Sequence, residues 1–315
     1  MTDIKDIQKI IPIIYQVGGS VRDAILGKTP KDFDYTTPYT PDEIESMVKA
    51  DGRRAYLTGK RFGTIGFKLD GEFIEVTSFR IEVYNNSRNP EVQFGISLEE
   101  DLSRRDFTIN SLARDTEGNI IDLFNGIEDI NNKIIRCVGN PKQRFKEDPL
   151  RILRAIRFAT QLGFMIDDKT KEYMFKMRMD LLRISKERWM QELDKILLSD
   201  NVRIGLDLLM ELQIFNVILP ELSIQYKYDQ DSPYHDFDLW THTKEVVIAT
   251  PPELHLRWSA LLHDIGKPFV RTKNSKGYSN YIDHEKISHE LVHKYGLYFK
   301  RSNEWLKEVG DMVLI

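Results

Sequence analysis

The sequence holds one cysteine, Cys137. No disulfide can form within the chain, so the cytoplasm is the expected location. Long hydrophobic runs are missing too. The early "IIPIIY" is short and broken by Pro12, far from the roughly 20 apolar residues that span a bilayer, and no membrane association is expected. The opening "MTDIKDIQK" lacks the basic-then-apolar order of a secretory signal. There is no internal repeat and no low-complexity tract. Net charge is small as well: 45 Lys and Arg against 49 Asp and Glu leave −4, which does not advertise a nucleic-acid binder.

What is present is ordinary in bulk and uneven in distribution. An apolar share of 41% and a charged share of 30% fit a globular protein. At 315 residues the chain is too long for one hydrophobic core and predicts two or three domains. From Lys133 to Lys195, sixteen Lys or Arg stand against nine Asp or Glu. A polyanion can dock on such a segment although the whole chain is slightly acidic, and a solvated helical surface would have the same composition.

The first third reads as mixed α/β. "SVRDAIL" predicts a short helix after Gly18-Gly19, and "DFDYTT" a short extended segment. "TIGFKL" and "EFIEVTSF" are β-rich runs joined by Asp70-Gly71, a two-residue turn suited to a type I′ hairpin. Beyond Asn110 the strand signals thin, with "IIDLF" and "KIIRCVG" the last. From Asp148 helical signals dominate. "DPLRILRAIRFATQLGF" has Pro149 at its first turn and Gly163 near its stop, "SKERWMQELDKILLS" offers Ser185 as N-cap, and "NVRIGLDLLMELQIF" reads as one amphipathic helix. "QYKYDQDSPYHDFD" reads as a linker. The apolar end "EVGDMVLI" reads as a cut inside a helix.

Asp32 and Asp34 carry the first chemical signal. In an extended segment, residues i and i+2 share a face, so both carboxylates project together with Phe33 turned into the core. Paired hard oxygens suit Mg²⁺, which also accepts substrate phosphates. Two such ions can activate a hydroxyl and steady a departing pyrophosphate. The glycine turn upstream lets backbone N–H groups approach a triphosphate, and Arg22 can add charge-assisted bonds. An isolated Asp-x-Asp is just as well a turn or cap, and it is the neighbouring Gly-Gly-Ser-Val-Arg-Asp element that tips the reading.

Three stretches together resemble a known family. "GGSVRDAILGKTPKDFDYTT", "LEEDLSRRDFTINSLA" and "RFKEDPLRILRAIRFATQLGF" are similar in order and spacing to motifs of the class II nucleotidyltransferases, the tRNA CCA-adding enzymes and bacterial poly(A) polymerases. The likeness runs from about Tyr15 to Leu198. It implies Asp32 and Asp34 as catalytic metal ligands for two Mg²⁺ ions. It also implies nucleotide contacts at Gly19, Arg22 and Arg105, with Asp148, Arg151, Arg154 and Arg157 on the helix that holds the incoming base. Glu75, between Ile74 and Val76, is the position to test for a further carboxylate on a neighbouring strand; an edge glutamate facing water is the competing reading. The stretch "RIEVYNNSRNPEVQFG" occupies the place of the family's flexible loop, with Ile81-Glu82 where Asp-Gly is usual.

Asp148 and Arg151 lie three apart, hence on one helix face. An Asp accepting from an exocyclic amine and an Arg donating to a ring nitrogen would satisfy both cytosine and adenine. Uracil and guanine present the reverse pattern and leave buried groups unpaired. Outside the "EDPLR" context such a pair is usually a surface ion pair of little worth.

A second constellation lies further on. "LLHDIGKP" sets His263 beside Asp264, with His242 upstream and His284 downstream. Imidazole and carboxylate suit a transition metal that activates water. The series resembles the HD phosphohydrolase superfamily, a domain that some bacterial CCA-adding enzymes carry.

The expectation is a multidomain α+β protein. It has a nucleotidyltransferase head with a mixed β-sheet over residues 1–138, a helical neck over 139–198 and a helical body over 199–228. A partial HD domain follows over 229–315. The expected reaction is CMP and AMP transfer from CTP and ATP to a tRNA 3′ end. The alternatives are poly(A) or A-only addition and, from another class, an HD phosphohydrolase whose head binds RNA.

Overall fold

The computed structural model describes residues 2–30, 32–83, 91–95, 97–231 and 237–314. The chain divides into two compact units, Met1–Glu147 and Asp148–Ile315.

Unit 1 is built on a mixed sheet. Its strands are β1 (Tyr15–Val17), β2 (Asp34–Thr37), β3 (Thr64–Leu69), β4 (Glu72–Ser78), β7 (Leu112–Arg114) and β8 (Ile120–Asp122), in the order β3-β4-β2-β1-β7-β8; β5 (Arg80–Val83) and β6 (Glu91–Phe94) pair separately. The expected hairpin forms β3 and β4, with Asp70 at φ 48° and Gly71 at φ 86°. Two positive φ values in a row are what a type I′ turn requires, and they match the twist of the flanking strands. Pairing is antiparallel except between β2 and β4, where Tyr35 lies opposite Val76 in a parallel ladder.

Alternation along these strands separates two chemistries. Tyr35, Ile65, Phe67, Ile74 and Val76 turn to one face and join a core with Ile7, Ile44 and Val48. Ile7 comes from α1 (Ile4–Gln8), and Ile44 and Val48 from α3 (Pro41–Ala50). Asp34, Thr36, Glu75 and Thr77 fall on the other face. There Val17 and Ala113 pack on Leu102 of α4 (Leu98–Ser103). Both α3 and α4 begin with a reciprocal capping box, Thr40 with Glu43 and Ser97 with Glu100, which satisfies two otherwise orphaned N–H groups at each start. The helix expected after the glycine pair is α2 (Gly19–Ile25); α5 (Gly126–Asn131) and α6 (Pro141–Glu147) complete the unit.

Unit 2 is helical: α7 (Arg151–Leu162), α8 (Asp168–Met177), α9 (Lys186–Leu197), α10 (Val202–Glu211), α11 (Phe215–Ile218), α12 (Pro220–Ser223), α13 (Leu239–Ala249), α14 (Leu254–Leu262), α15 (His284–Tyr298) and α16 (Asn303–Val313). Charged side chains tie these helices together. Arg157 of α7 pairs with Glu192 of α9 at 2.7 Å, with little of either side chain exposed. Asp194 of α9 receives Arg301 through two nitrogens and the Trp258 indole N–H, while the Arg301 guanidinium lies 5.2 Å from the ring centres of both Trp258 and Trp305. Among the described residues no helix is long and apolar enough to cross a membrane.

Several local expectations change. "NVRIGLDLLMELQIF" is two helices, because Gln213 adopts φ 55° between α10 and α11, a left-handed conformation that no helix interior tolerates. Ser185 does precede α9, but its side chain makes no capping hydrogen bond. The strand expected over "DFDYTT" starts at Asp34 and leaves Asp32 in the bend before it. The linker and the loop after Arg80 fall partly outside the described residues.

Candidate active site and a histidine–aspartate cluster

The edge of unit 1 that carries Asp34 is built around a glycine. Gly18 has φ +74°, and a Cβ there would come within 3.2 Å of Arg105 Nη1 and 3.7 Å of Asp34 Oδ2. The backbone must therefore run close under both side chains, in a conformation glycine adopts at least cost. Three segments distant in sequence are brought to one point: the end of β1, the start of β2 and the turn after α4.

Asp34 is solvent-exposed on its strand, yet the protein around its carboxyl raises its pKa above the usual carboxylate value. Arg105 opposes that shift and the nearby Asp32 adds to it. The carboxylate is thus under-compensated by the protein alone. This is the electrostatic condition that a bound divalent cation relieves, and the hard oxygen donors of Asp32 and Asp34 fit Mg²⁺. Glu75 is exposed on β4. One step before the Tyr35–Val76 pair, it stands next to Asp34 across the parallel ladder and on the same face of the sheet.

Arg105 is held from behind. Asp101, fully buried in α4, accepts from Arg105 Nη2 at 3.2 Å, from Arg104 Nη2 at 2.9 Å and from the Arg80 backbone N–H at 3.4 Å. Arg22 is nearly buried beneath the turn. Its Nη2 lies 3.4 Å from where a Gly19 Cβ would be, its Nε donates to Asp23 at 2.8 Å and its Nη1 to Asn110 Oδ1 at 2.7 Å. Asn110 in turn donates to Asp106 at 3.1 Å. Asp101, Asp106 and Asn110 were not singled out from the sequence. The i,i+3 and i,i+4 spacing of Asp101 to Arg104 and Arg105 was the available signal.

In unit 2, Arg151, Arg154 and Arg157 form a half-buried stripe along α7. Asp148 stands just before it. One of its carboxylate oxygens accepts from the Leu150 N–H at 3.1 Å and the other from Arg188 of α9 at 2.9 Å. Arg157 is turned to Glu192, with Phe158 under its guanidinium at 4.2 Å.

The histidine–aspartate series also converges. His242 Nε2 lies 3.4 Å from Asp264 Oδ2, His263 Nε2 lies 3.1 Å from the same oxygen, and the two Nε2 atoms are 3.3 Å apart. Through Nδ1, His263 donates to the Ala260 carbonyl at 2.8 Å. This leaves Nε2 as its lone-pair atom, the orientation a metal-bound histidine needs. Asp264 Oδ2 is buried with no well-directed hydrogen bond, although Lys267 Nζ is 2.7 Å away. A buried carboxylate oxygen facing two imidazole nitrogens, with Lys267 as its present counter-charge, is a fitting donor set for a transition metal. His284 approaches the other oxygen, Oδ1, at 3.2 Å. Burial alone would raise the Asp264 pKa; the imidazoles of His263 and His284 at its two oxygens, with the Lys267 charge, hold it well below the usual carboxylate range. The hydrogen bond to Asp264 raises His284 above the ordinary imidazole value.

Comparison with known proteins agrees with this layout. Residues 14–136 match the poly A polymerase head domain. Residues 163–225 match a probable RNA- and SrmB-binding site of polymerase A, and residues 240–314 an HD domain. The class is therefore a polymerase-A-type nucleotidyltransferase head followed by an RNA-binding segment and an HD domain. The CCA-adding enzyme of Enterococcus faecalis is 38% identical over 308 residues, covering 94% of this chain and 70% of that protein. That of Bacillus subtilis is 39% identical over 254 residues, 80% of this chain and 60% of its own length. The crystal structure of the Bacillus stearothermophilus CCA-adding enzyme in complex with CTP matches with a TM-score of 0.71 at 28% identity, covering 96% of this chain and 66% of that one. The chain belongs to the CCA-adding enzyme family, and it spans about two thirds of the length of these relatives.

Proposed function

We propose that the protein adds CMP and AMP, from CTP and ATP, to the 3′-hydroxyl of tRNA and releases pyrophosphate. The observation that carries this reading is the meeting of Asp34, Arg105 and Gly18 beside Asp32, in a chain whose relatives are CCA-adding enzymes. Asp32 and Asp34, with Glu75 as a third carboxylate, would hold Mg²⁺; when bound, the metal supplies activation of the attacking hydroxyl and charge relief on the departing pyrophosphate. Arg105, anchored by Asp101, offers its guanidinium to the nucleotide. Gly19 lets the backbone approach that nucleotide, while Arg22 shapes the turn from below through Asn110.

Base choice falls to Asp148 and Arg151, which can accept from the exocyclic amine and donate to the ring nitrogen that cytosine and adenine share. Arg188 orients Asp148 for that task, and Arg154 continues the same helix face. Arg157 serves as a tie between α7 and α9 rather than as a direct nucleotide contact, since its charge is matched by Glu192. In the HD domain, His242, His263 and Asp264 form a second metal site, one that suits a transition metal activating water.

The test is primer extension on tRNA ending at the discriminator base and on an unrelated RNA, with CTP and ATP given singly and together. The reading expects C-C-A on tRNA only, and loss of all extension in Asp32→Ala and Asp34→Ala. Extension by ATP alone on both RNAs would assign a poly(A) activity instead. Phosphate-ester hydrolysis that survives Asp32→Ala, with no extension by the native chain, would place the chemistry in the HD domain.

A further inference from the structure

Helix α15, "HEKISHELVHKYGLY", spells His-Glu-x-x-His at His289, Glu290 and His293. The proposed reaction does not use these residues, and they lie outside the His242, His263 and Asp264 cluster. Residues four apart share a helix face, and two histidines so placed can chelate a metal ion through their ring nitrogens.

Geometry supports the spelling. The two rings are half-buried, with centres 4.6 Å apart and planes inclined at 57°. Both bring an edge to one point on α16. The place a Gly310 Cβ would take is 3.1 Å from His289 Cε1 and 3.5 Å from His293 Nε2, so the bare backbone at Gly310 is what leaves room for both rings. His289 Nδ1 lies 3.0 Å from the Gly310 carbonyl oxygen. A carbonyl only accepts, so Nδ1 carries the proton and Nε2 keeps its lone pair, the tautomer a metal ligand needs. The charges nearby do not repel a cation. Lys286 is answered by Asp283 at 2.7 Å and Lys294 by Glu221 at 2.5 Å, while Glu290, next to His289 in sequence, is exposed and negative. Neither histidine of the pair forms an ion pair with a described residue.

We propose that α15 carries a metal site of its own, in which His289 and His293 chelate a divalent transition ion such as Zn²⁺ or Ni²⁺. Imidazole is the ligand these ions favour. Rotation of the two rings about their side-chain bonds sets both Nε2 atoms at the about 2.0–2.1 Å that such a bond takes. Among the described residues no third His, Cys, Asp or Glu joins the pair, so water completes the coordination. The Gly310 carbonyl orients His289 from behind and links the bound ion to α16.

The test is equilibrium dialysis of the 315-residue chain against Ni²⁺, with Mg²⁺ in excess to fill the hard carboxylate sites. The α15 ion is the one kept in His263→Gln, whatever the His242, His263 and Asp264 cluster holds. In that background, adding His289→Gln or His293→Gln should weaken Ni²⁺ binding about tenfold or more. His293 makes no hydrogen bond with a described residue, so His293→Gln keeps the fold and its result decides. His255→Gln, a histidine on α14 outside the pair, should leave binding unchanged. The proposal is overturned if His263→Gln binds no Ni²⁺ up to ~1 mM, or if adding His293→Gln changes its affinity by less than about twofold; the two rings would then serve only to pack α15 on α16.

Discussion

Asp101→Asn is the most informative single change in unit 1. The native carboxylate is fully buried and receives Arg104 and Arg105 together with the Arg80 N–H. The amide keeps one acceptor oxygen but turns an NH₂ group toward a guanidinium that has lost its counter-charge. Each charge-assisted hydrogen bond to a buried carboxylate is worth about 1.5–3 kcal/mol. The arginines are 23% and 20% exposed, so water recovers part of that, and a net loss of about 2 kcal/mol is expected. For a unit of this size that corresponds to ~4–8 °C in melting temperature. The functional effect should exceed the stability effect, because Arg105 is the side chain aimed at Gly18 and Asp34. KM for CTP and ATP should rise well above the native value at temperatures where the variant is fully folded. Arg104→Gln is the control: it loses the same partner without touching the Asp34 edge, so it should lower the melting temperature while KM stays near native. Native melting and native KM in Asp101→Asn would refute the argument, as would equal KM effects in the two variants.

The other expectations are more local. Because the Asp34 pKa is raised in the fold, its stabilising contribution is whole at acid pH and is lost as pH rises through the folded value. Metal-free Asp34→Asn should therefore melt higher than native at neutral pH, with the gap closing near ~pH 4; Mg²⁺ should raise melting only in the native chain, and a destabilised variant would sink the claim. Asp148→Ala should relax the preference for C and A over U and G by roughly one to two decades in competition assays while leaving Mg²⁺ binding intact; unchanged selectivity would remove the residue from base choice. His284 has a raised pKa, so its contribution is full below the ordinary imidazole value and fades as pH climbs through the folded one. In EDTA, the melting difference between native and His284→Gln should be larger at about pH 6 than at about pH 9, and a constant gap would contradict this.

Local chemistry was readable in the sequence wherever it announces itself within a few residues. Asp70-Gly71 specified the β3–β4 turn because only certain residues accept two positive φ values in succession, and Gly163 ends α7 as expected at φ 69°, whereas Pro149 stands before the Leu150 N-cap and not in the first turn. The parallel pairing of β2 with β4 was not readable. It depends on which strand fills the gap beside β2, a choice made by the shared core of Tyr35, Val76 and Ile65 and not by any turn. The carboxylate pair and the histidine–aspartate series could be named from spacing, whereas what stands behind them could not. Asp101, Asn110 and Arg188 matter through partners 4, 88 and 40 residues away, and only the first lies within the reach of a helical repeat. The Arg157–Glu192 pair shows the converse. A residue that belongs to a basic stripe by spacing is turned by packing toward an acid on another helix.

The Arg301 cage has a practical corollary. All four tryptophans of the chain, Trp189, Trp240, Trp258 and Trp305, lie in unit 2, and two of them flank the same guanidinium. Indole emission therefore watches one half of the molecule, while the carboxylate-bearing half has only tyrosine and phenylalanine chromophores. A fluorescence melt beside a calorimetric one would tell the order in which the two halves come apart.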